Sequence, residues 1–137
     1  MQLTKVDHIG IAVPSLEQGR ALWEGKLGLR AKGVEEVQSQ RVRVCFIPVG
    51  EVKLELLEPS SPDSAIAKFL EKRGPGLHHV AYEVPDIRAA LDEAKAQGLQ
   101  LIDAAPRPGA AGKLVAFLHP RDTGGVLTEF VQPAPKA

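Results

Sequence analysis

Cysteine is almost missing from this 137-residue chain; Cys45 is the only one. An internal disulfide is therefore excluded, and a reducing cytoplasm is the expected location. Net charge is missing too. Lys and Arg together number 17, as do Asp and Glu. No global field draws the protein to nucleic acid or to a membrane surface, so an anionic ligand must be held by a few local basic residues. No apolar run approaches the roughly 18 residues of a membrane span. No signal peptide is expected, because the chain passes almost directly from Met1 into a first strand. What is present, 44% hydrophobic and 25% charged residues, suits a single soluble domain with a real core over residues 1–137. Cys45 lies in the apolar run Val42-Arg-Val-Cys-Phe-Ile47 and reads as a packed small hydrophobe rather than a reactive thiol.

The chain is organised around Gly76-Leu-His-His-Val-Ala-Tyr-Glu-Val84, a short apolar run with two adjacent histidines. Val6-Asp-His-Ile-Gly-Ile-Ala-Val13 is a close cousin of it. Overlaid, His8 matches His79, and both copies run into a proline and then a helix-like segment. Val52-Lys-Leu-Glu-Leu-Leu-Glu-Pro59 likewise overlays Val126-Leu-Thr-Glu-Phe-Val-Gln-Pro133, so Glu55 matches Glu129. The pattern is an internal duplication. A duplicated fold normally makes its site where the copies meet.

Each copy reads as strand, helix and three further strands. In the first, Val6 to Val13 is a strand. Ser15 caps a helix with Gln18 as its capping-box partner, and Gly28 closes it. Leu29 to Val37 is a weaker strand, and Arg41 to Val49 and Val52 to Glu58 form a hairpin about Gly50-Glu51. Ser64 to Arg73 is a linking helix stopped by Gly74-Pro75-Gly76. In the second copy, Leu77 to Val84 is a strand and Asp86 caps a helix closed by Gly98. Leu99 to Asp103 is a strand, Pro106 to Gly112 a loop, and Lys113 to Leu118 and Gly125 to Gln132 are the last strands. The expected fold is α+β: two tandem β-α-β-β-β modules (about 5–58 and 76–133, with a linker of about 59–75) forming a curved eight-stranded mixed sheet around a metal site.

Four residues fall at equivalent places: His8 and His79 in the first strand of each unit, Glu55 and Glu129 in the last. A carboxylate in an apolar strand is costly to bury alone and is usually paired, hydrogen-bonded or coordinated. Alternation puts His8 with Gly10 and Ala12 on one face, and His79 with Ala81. Small neighbours leave room in front of the imidazoles. The bland reading is a satisfied core histidine and a Glu55 alternating outward with Lys53. Four such residues in symmetric positions favour instead a divalent transition metal with open positions for water or substrate, drawn from cobalt, manganese, zinc and nickel. His78 points away from His79 and reads as packed or solvated. His119 opens a turn and either lines a pocket or only shapes that turn. Gly109-Ala-Ala-Gly112-Lys113 lacks the spacing and following hydroxyl of a phosphate loop. Lys113 and Arg121 are local charges for a coenzyme A phosphate or a substrate carboxylate, or ordinary solvated side chains.

The doubled repeat with this ligand pattern resembles the vicinal-oxygen-chelate (glyoxalase-like) superfamily. Within it, Asp7-His-Ile-Gly-Ile-Ala-Val13, Glu55-Leu-Leu-Glu-Pro59, Ser64-Ala-Ile-Ala-Lys-Phe-Leu-Glu-Lys-Arg-Gly74, Gly76-Leu-His-His79, Phe117-Leu-His-Pro120 and Gly124-Gly-Val-Leu-Thr-Glu129 look like the methylmalonyl-CoA epimerase family. The similarity runs from Val6 to Val131. It implies metal-assisted removal and return of the proton on a carbon between a carboxylate and a thioester. It also implies an acyl-CoA substrate, a homodimer, and Glu129 as both metal ligand and one base. Inversion is simplest with two bases on opposite faces. The family carries an acid at the position aligned with Ser39, whereas here the run is Glu35-Glu-Val-Gln-Ser-Gln-Arg41. Glu35, Glu36 or a relaying water would then take the proton, or the substrate differs. Alternative expectations are a glyoxalase-type lactoylglutathione lyase and a small-molecule-binding protein of the same fold.

Overall fold

The computed structural model describes residues 1–135. The tandem order expected from the sequence is observed. The first half runs β1 (Lys5–Ala12), α1 (Leu16–Arg20), β2 (Gly33–Val37), β3 (Val42–Val49) and β4 (Val52–Pro59), followed by α2 (Ala65–Arg73). The second runs β5 (Gly76–Glu83), α3 (Ile87–Ala96), β6 (Arg107–Pro108), β7 (Leu114–Leu118) and β8 (Thr128–Gln132). Within the first half the hydrogen-bonded strand order is β2-β3-β4-β1, and within the second β5-β8-β7-β6. In both halves the first and last strands pair in parallel and the others antiparallel. The class is α+β, with eight strands among the described residues.

Helix starts follow local chemistry. The hydroxyls of Ser15 and Ser64 accept from the backbone N–H of Gln18 and Ala67, both at 3.1 Å. The Asp86 carboxylate accepts from Ala89 N at 3.2 Å. Each fills one orphan donor of a first helical turn. The first helix does not end as a plain α-helix. Ala21–Lys26 is π-helical, and Leu27 N donates to Leu22 O, five residues back, at 3.0 Å. Arg20 and Ala31 N both bond the Glu24 carboxylate, tying this wide turn to the loop that follows.

Several strand assignments differ from the sequence reading. The stretch Leu29 to Val37 becomes a strand only at Gly33, because Leu29 and Ala31 pack under the helix and Leu29 N bonds Trp23 O. Arg41 stands at φ 54 after a 3₁₀ turn over Gln38–Gln40, so β3 begins at Val42. Leu99 to Asp103 is not a strand. Ile102 N and Asp103 N both turn to Phe117 O, leaving one isolated bridge, Leu101 to Leu118. The strand that edges the second half is instead Arg107–Pro108, inside the segment read as a loop. Finally, β8 begins at Thr128 rather than Gly125. Gly124 and Gly125 hold φ values of 69 and 85, which no extended strand can use.

The first half, His8–His78, is one compact unit. Paired residues in adjacent strands share a face, and alternate residues switch face. One face of its sheet carries Cys45, Ile47 and Leu56, which pack with Val13, Leu16 and Trp23 around α1. Cys45 is fully buried, as a packed hydrophobe should be. Gly19 lets α1 lie against this face; a Cβ there would stand 2.9 Å from Leu56 Cδ1. Among the described residues, the second unit takes in residues 1–7 and 79–135. In it α3 buries Ile87, Ala90, Leu91 and Ala94 against Val84, Ala116, Leu118 and Phe130. The other side of that sheet holds the small cluster Ala81, Val115 and Val131.

Candidate active site

In the first half, the face turned away from α1 carries His8, Gly10 and Ala12 on β1 and Glu55 and Leu57 on β4. Gly10 pairs with Glu55 across the parallel ladder. His8 lies two residues earlier on the same face, and its Nδ1 is 3.3 Å from Glu55 Oε2. In the second half Ala81 pairs with Glu129. His79 again lies two residues earlier, with Nε2 at 2.9 Å from Glu129 Oε1. The duplication therefore repeats the local geometry as well as the residue types. Glycine and alanine opposite the carboxylates keep the space in front of each pair small-sided.

All four side chains are buried: His8 is 4% exposed, Glu55 6%, His79 3% and Glu129 2%. Ligand atoms of His79 and Glu129 lie within 4.8 Å of one another, and so do those of His8 and Glu55, close enough to share an ion. Imidazole nitrogen and carboxylate oxygen are the donors that borderline divalent metals take, and a cation offsets the cost of two buried carboxylates. The donor set fits a divalent transition metal. Phe117 stands edge-on to the His79 ring, at 5.3 Å between centroids, and fixes its plane from the side.

The remaining sequence candidates separate. His78 packs edge-on against Phe69 at 4.9 Å between centroids, and strand alternation puts it on the face opposite His79. His119 accepts from Arg121 N at 3.0 Å through Nδ1, capping its own 3₁₀ turn. Arg121 is exposed and bonds the Gln100 side chain. Lys113 is not a free surface charge; its Nζ lies 3.0 Å from Oδ1 of Asp7, itself 3% exposed. A groove of about 520 Å³ on the α1 side of the first half includes Arg20 and Arg43. Both cations are engaged there, by Glu24 and Glu58.

Two residues gain meaning only from the strand register. Glu35 pairs with Val44, and Val44 with Leu57. Arg107 pairs with Val115, and Val115 with Val131. Leu57 and Val131 each lie two residues beyond the glutamate of their half. Glu35 and Arg107 thus hold the same position in the two copies, each on the face that carries its half's His–Glu pair. The Arg107 guanidinium lies over the Phe117 ring, 5.7 Å from its centroid, with Nε 3.5 Å from Asp103 Oδ1. Sequence reading missed Arg107 because it assigned the equivalent strand to Leu99–Asp103. Aligning the edge strands of the two copies was the signal that could have found it. Glu36 pairs with Arg43, which bonds Glu58, so it belongs to the α1 side. Ser39 is exposed in the 3₁₀ turn.

The sequence model of the Glyoxalase/Bleomycin resistance protein/Dioxygenase superfamily matches residues 7–117. The chain belongs to that superfamily. Among its relatives, the uncharacterized protein YqjC of Bacillus subtilis is 47% identical over 131 residues, covering 96% of this chain and 94% of YqjC. The ethylmalonyl-CoA/methylmalonyl-CoA epimerase of Cereibacter sphaeroides is 42% identical over 130 residues, covering 93% of this chain and 97% of that one. A variant of Streptomyces coelicolor methylmalonyl-CoA epimerase, solved with 2-nitronate-propionyl-CoA, superposes with a TM-score of 0.93 at 36% identity, covering 97% of this chain and 96% of that chain. Among the described residues no helix of this superfamily member is long and apolar enough to cross a membrane.

Proposed function

We propose that this superfamily member is a metal-dependent epimerase interconverting (R)- and (S)-methylmalonyl-CoA. The observation that carries the reading is the buried His–Glu pair repeated in both halves of a chain whose relatives include named epimerases. His8, Glu55, His79 and Glu129 would hold the ion. A divalent metal supplies Lewis-acid stabilisation of negative charge on the substrate's oxygens.

The chain's own residues do the rest. Glu129, 2% exposed on β8, takes the proton from the carbon between carboxylate and thioester. The C–H bond breaks and its electron pair moves into the enolate. Return of a proton to the opposite face inverts the centre. The Phe117 contact holds the His79 ring that orients Glu129. Arg107, a cation on the ligand-bearing face of the second half, serves as an anchor for the anionic substrate. The reading places the enzyme in the cytoplasm, where its lone thiol stays reduced. The homodimer expected of the family is checked by native mass spectrometry.

The test follows methylmalonyl-CoA in D2O with metal-loaded protein, beside Glu129→Ala and a chelated sample. Deuterium incorporation with inversion, lost in both controls, supports the reading. Absence of exchange with cobalt, manganese, zinc and nickel overturns it.

A further inference from the structure

We propose that Asp103 is a positioning residue for substrate binding: it sets the Arg107 guanidinium above Phe117, so that the anion anchor is in place before substrate arrives. The inference rests on the epimerase reading above, in which Arg107 holds the anionic substrate. Every residue it uses lies in the second unit.

Phe117 holds the arrangement together. Its N–H donates to Asp103 Oδ2 at 2.8 Å, and its carbonyl accepts from Ile102 N at 2.9 Å and Asp103 N at 3.2 Å. Asp103 is thus fixed by its backbone and its carboxylate at once, and its side chain is only 16% exposed. Oδ1, the oxygen not bonded to Phe117 N, stands 3.5 Å from Arg107 Nε. The guanidinium carbon lies 5.7 Å from the centre of the Phe117 ring. One residue therefore carries both partners of the ion pair, the acid on its backbone and the cation on its ring.

The same residue puts the cation next to the chemistry. Phe117 pairs with Glu129 across β7 and β8. Its backbone N–H and C=O turn to Ile102 and Asp103, so its pairing with Glu129 is the kind without mutual hydrogen bonds, in which facing side chains stand closest. An arginine held on that ring is held at the strand position opposite the carboxylate that takes the proton.

An arginine side chain has several rotatable bonds, and ordering it when an anion binds costs about two- to twelvefold in affinity. A carboxylate fixed to the strand removes that cost in advance. The contact with Asp103 is made at Nε. It is not made through the end-on fork of the two Nη atoms, which grips carboxylate or phosphate with two parallel bonds. The negative charge of Asp103 by itself opposes an anion. The sign of its effect on affinity therefore separates positioning from masking.

The experiment titrates methylmalonyl-CoA calorimetrically into metal-loaded wild type, Asp103→Asn, Arg107→Ala, Arg107→Lys and the double variant Asp103→Asn/Arg107→Ala. Circular dichroism, Tm and steady-state kinetics are measured on each. Asparagine keeps an oxygen for Phe117 N–H and removes the charge from Nε. Asp103→Asn should weaken binding about fivefold and raise KM by a similar factor, while kcat falls less than about twofold. In the Arg107→Ala background the same substitution should change Kd by less than about twofold, because the residue it acts through is gone. Arg107→Lys keeps the charge without the planar group, and should weaken binding about as much as Asp103→Asn. Wild-type or tighter binding in Asp103→Asn overturns the assignment. Equal weakening in both backgrounds overturns it as well, since that marks a merely structural acid. If Asp103→Asn does not fold, Arg107→Lys decides: weakened binding supports positioning, and wild-type affinity overturns it. A wild type that binds the thioester without inverting it, with the expected pattern of affinities, overturns the epimerase reading and leaves the role of Asp103 standing. A wild type that binds no thioester overturns both.

Discussion

His79 and Glu129 meet because His79 lies two residues before Ala81, the residue that pairs with Glu129 across the parallel ladder. The same two-residue step joins His8 to Glu55 through Gly10. If the His79–Glu129 pair holds an ion, as proposed above, metal stabilises the folded state by mass action. At a hundredfold excess over Kd the gain is about 2.7 kcal/mol, on the order of 10 °C in Tm for a domain of this size. His79→Ala and Glu129→Ala should each abolish that rise. Differential scanning calorimetry with and without added cobalt or zinc reads it. An equal rise in wild type and both variants would place the ion elsewhere.

Gly109 should not tolerate a side chain. A Cβ there would stand 2.6 Å from Val115 Cγ1, and Val115 is a β-branched residue buried in its strand. Gly109→Ala is expected to cost about 1–3 kcal/mol through displacement of β6 from β7. Urea denaturation measures the loss. Gly33→Ala is the control, since nothing lies within 4 Å of a Cβ there.

Glu24 makes the first helix sensitive to acid. Its carboxyl is held below the ordinary value of 4.5 by the Arg20 hydrogen bond first and the Ala31 backbone N–H second. A depressed carboxyl stabilises the fold above its unfolded pKa, and the benefit disappears as pH falls through the lower folded value. Chemical denaturation at pH 7 and below pH 4 should therefore show a smaller pH effect in Glu24→Gln than in wild type. The site is exposed, so the difference is small.

Cys45 should be silent in the native protein. Burial is the leading cause that pushes its thiol above the ordinary value of 9.0. A raised thiol pKa leaves stability intact below the unfolded pKa and erodes it as pH rises through the folded one. Ellman's reagent at pH 8 should label the unfolded chain fully and the native chain only at the rate of global opening. Rapid native labelling would contradict the burial.

Residues that encode their own local geometry were legible in the sequence. Ser15, Ser64 and Asp86 announce helix starts through side chains that cap, and Gly28 and Gly98 mark ends through left-handed backbone. The His–Glu repeat was legible because a duplicated chain shows each candidate twice. Long-range partners were not. Leu99 and Leu101 have strand-like alternation, yet their apolar side chains go to the α3 cluster while the neighbouring N–H groups crowd onto Phe117 O. Nothing local in Arg107–Pro108 shows that it would take the edge place. The choice between Glu35 and Glu36 was closed to the sequence for the same reason. Adjacent residues differ in face, and only the pairing partner says which face is which.

The shared position of Glu35 and Arg107 has an evolutionary side. A half-length chain that assembled with its own copy would be forced to carry the same residue there twice, two acids or two cations. Joining the copies in one gene removes that constraint, because each codon then changes alone. The halves of this protein have used that freedom at this spot while keeping the histidine and the glutamate identical. A chain rebuilt from two first halves would gain a second glutamate and lose the arginine. The two copies are therefore no longer exchangeable parts, however alike their backbones.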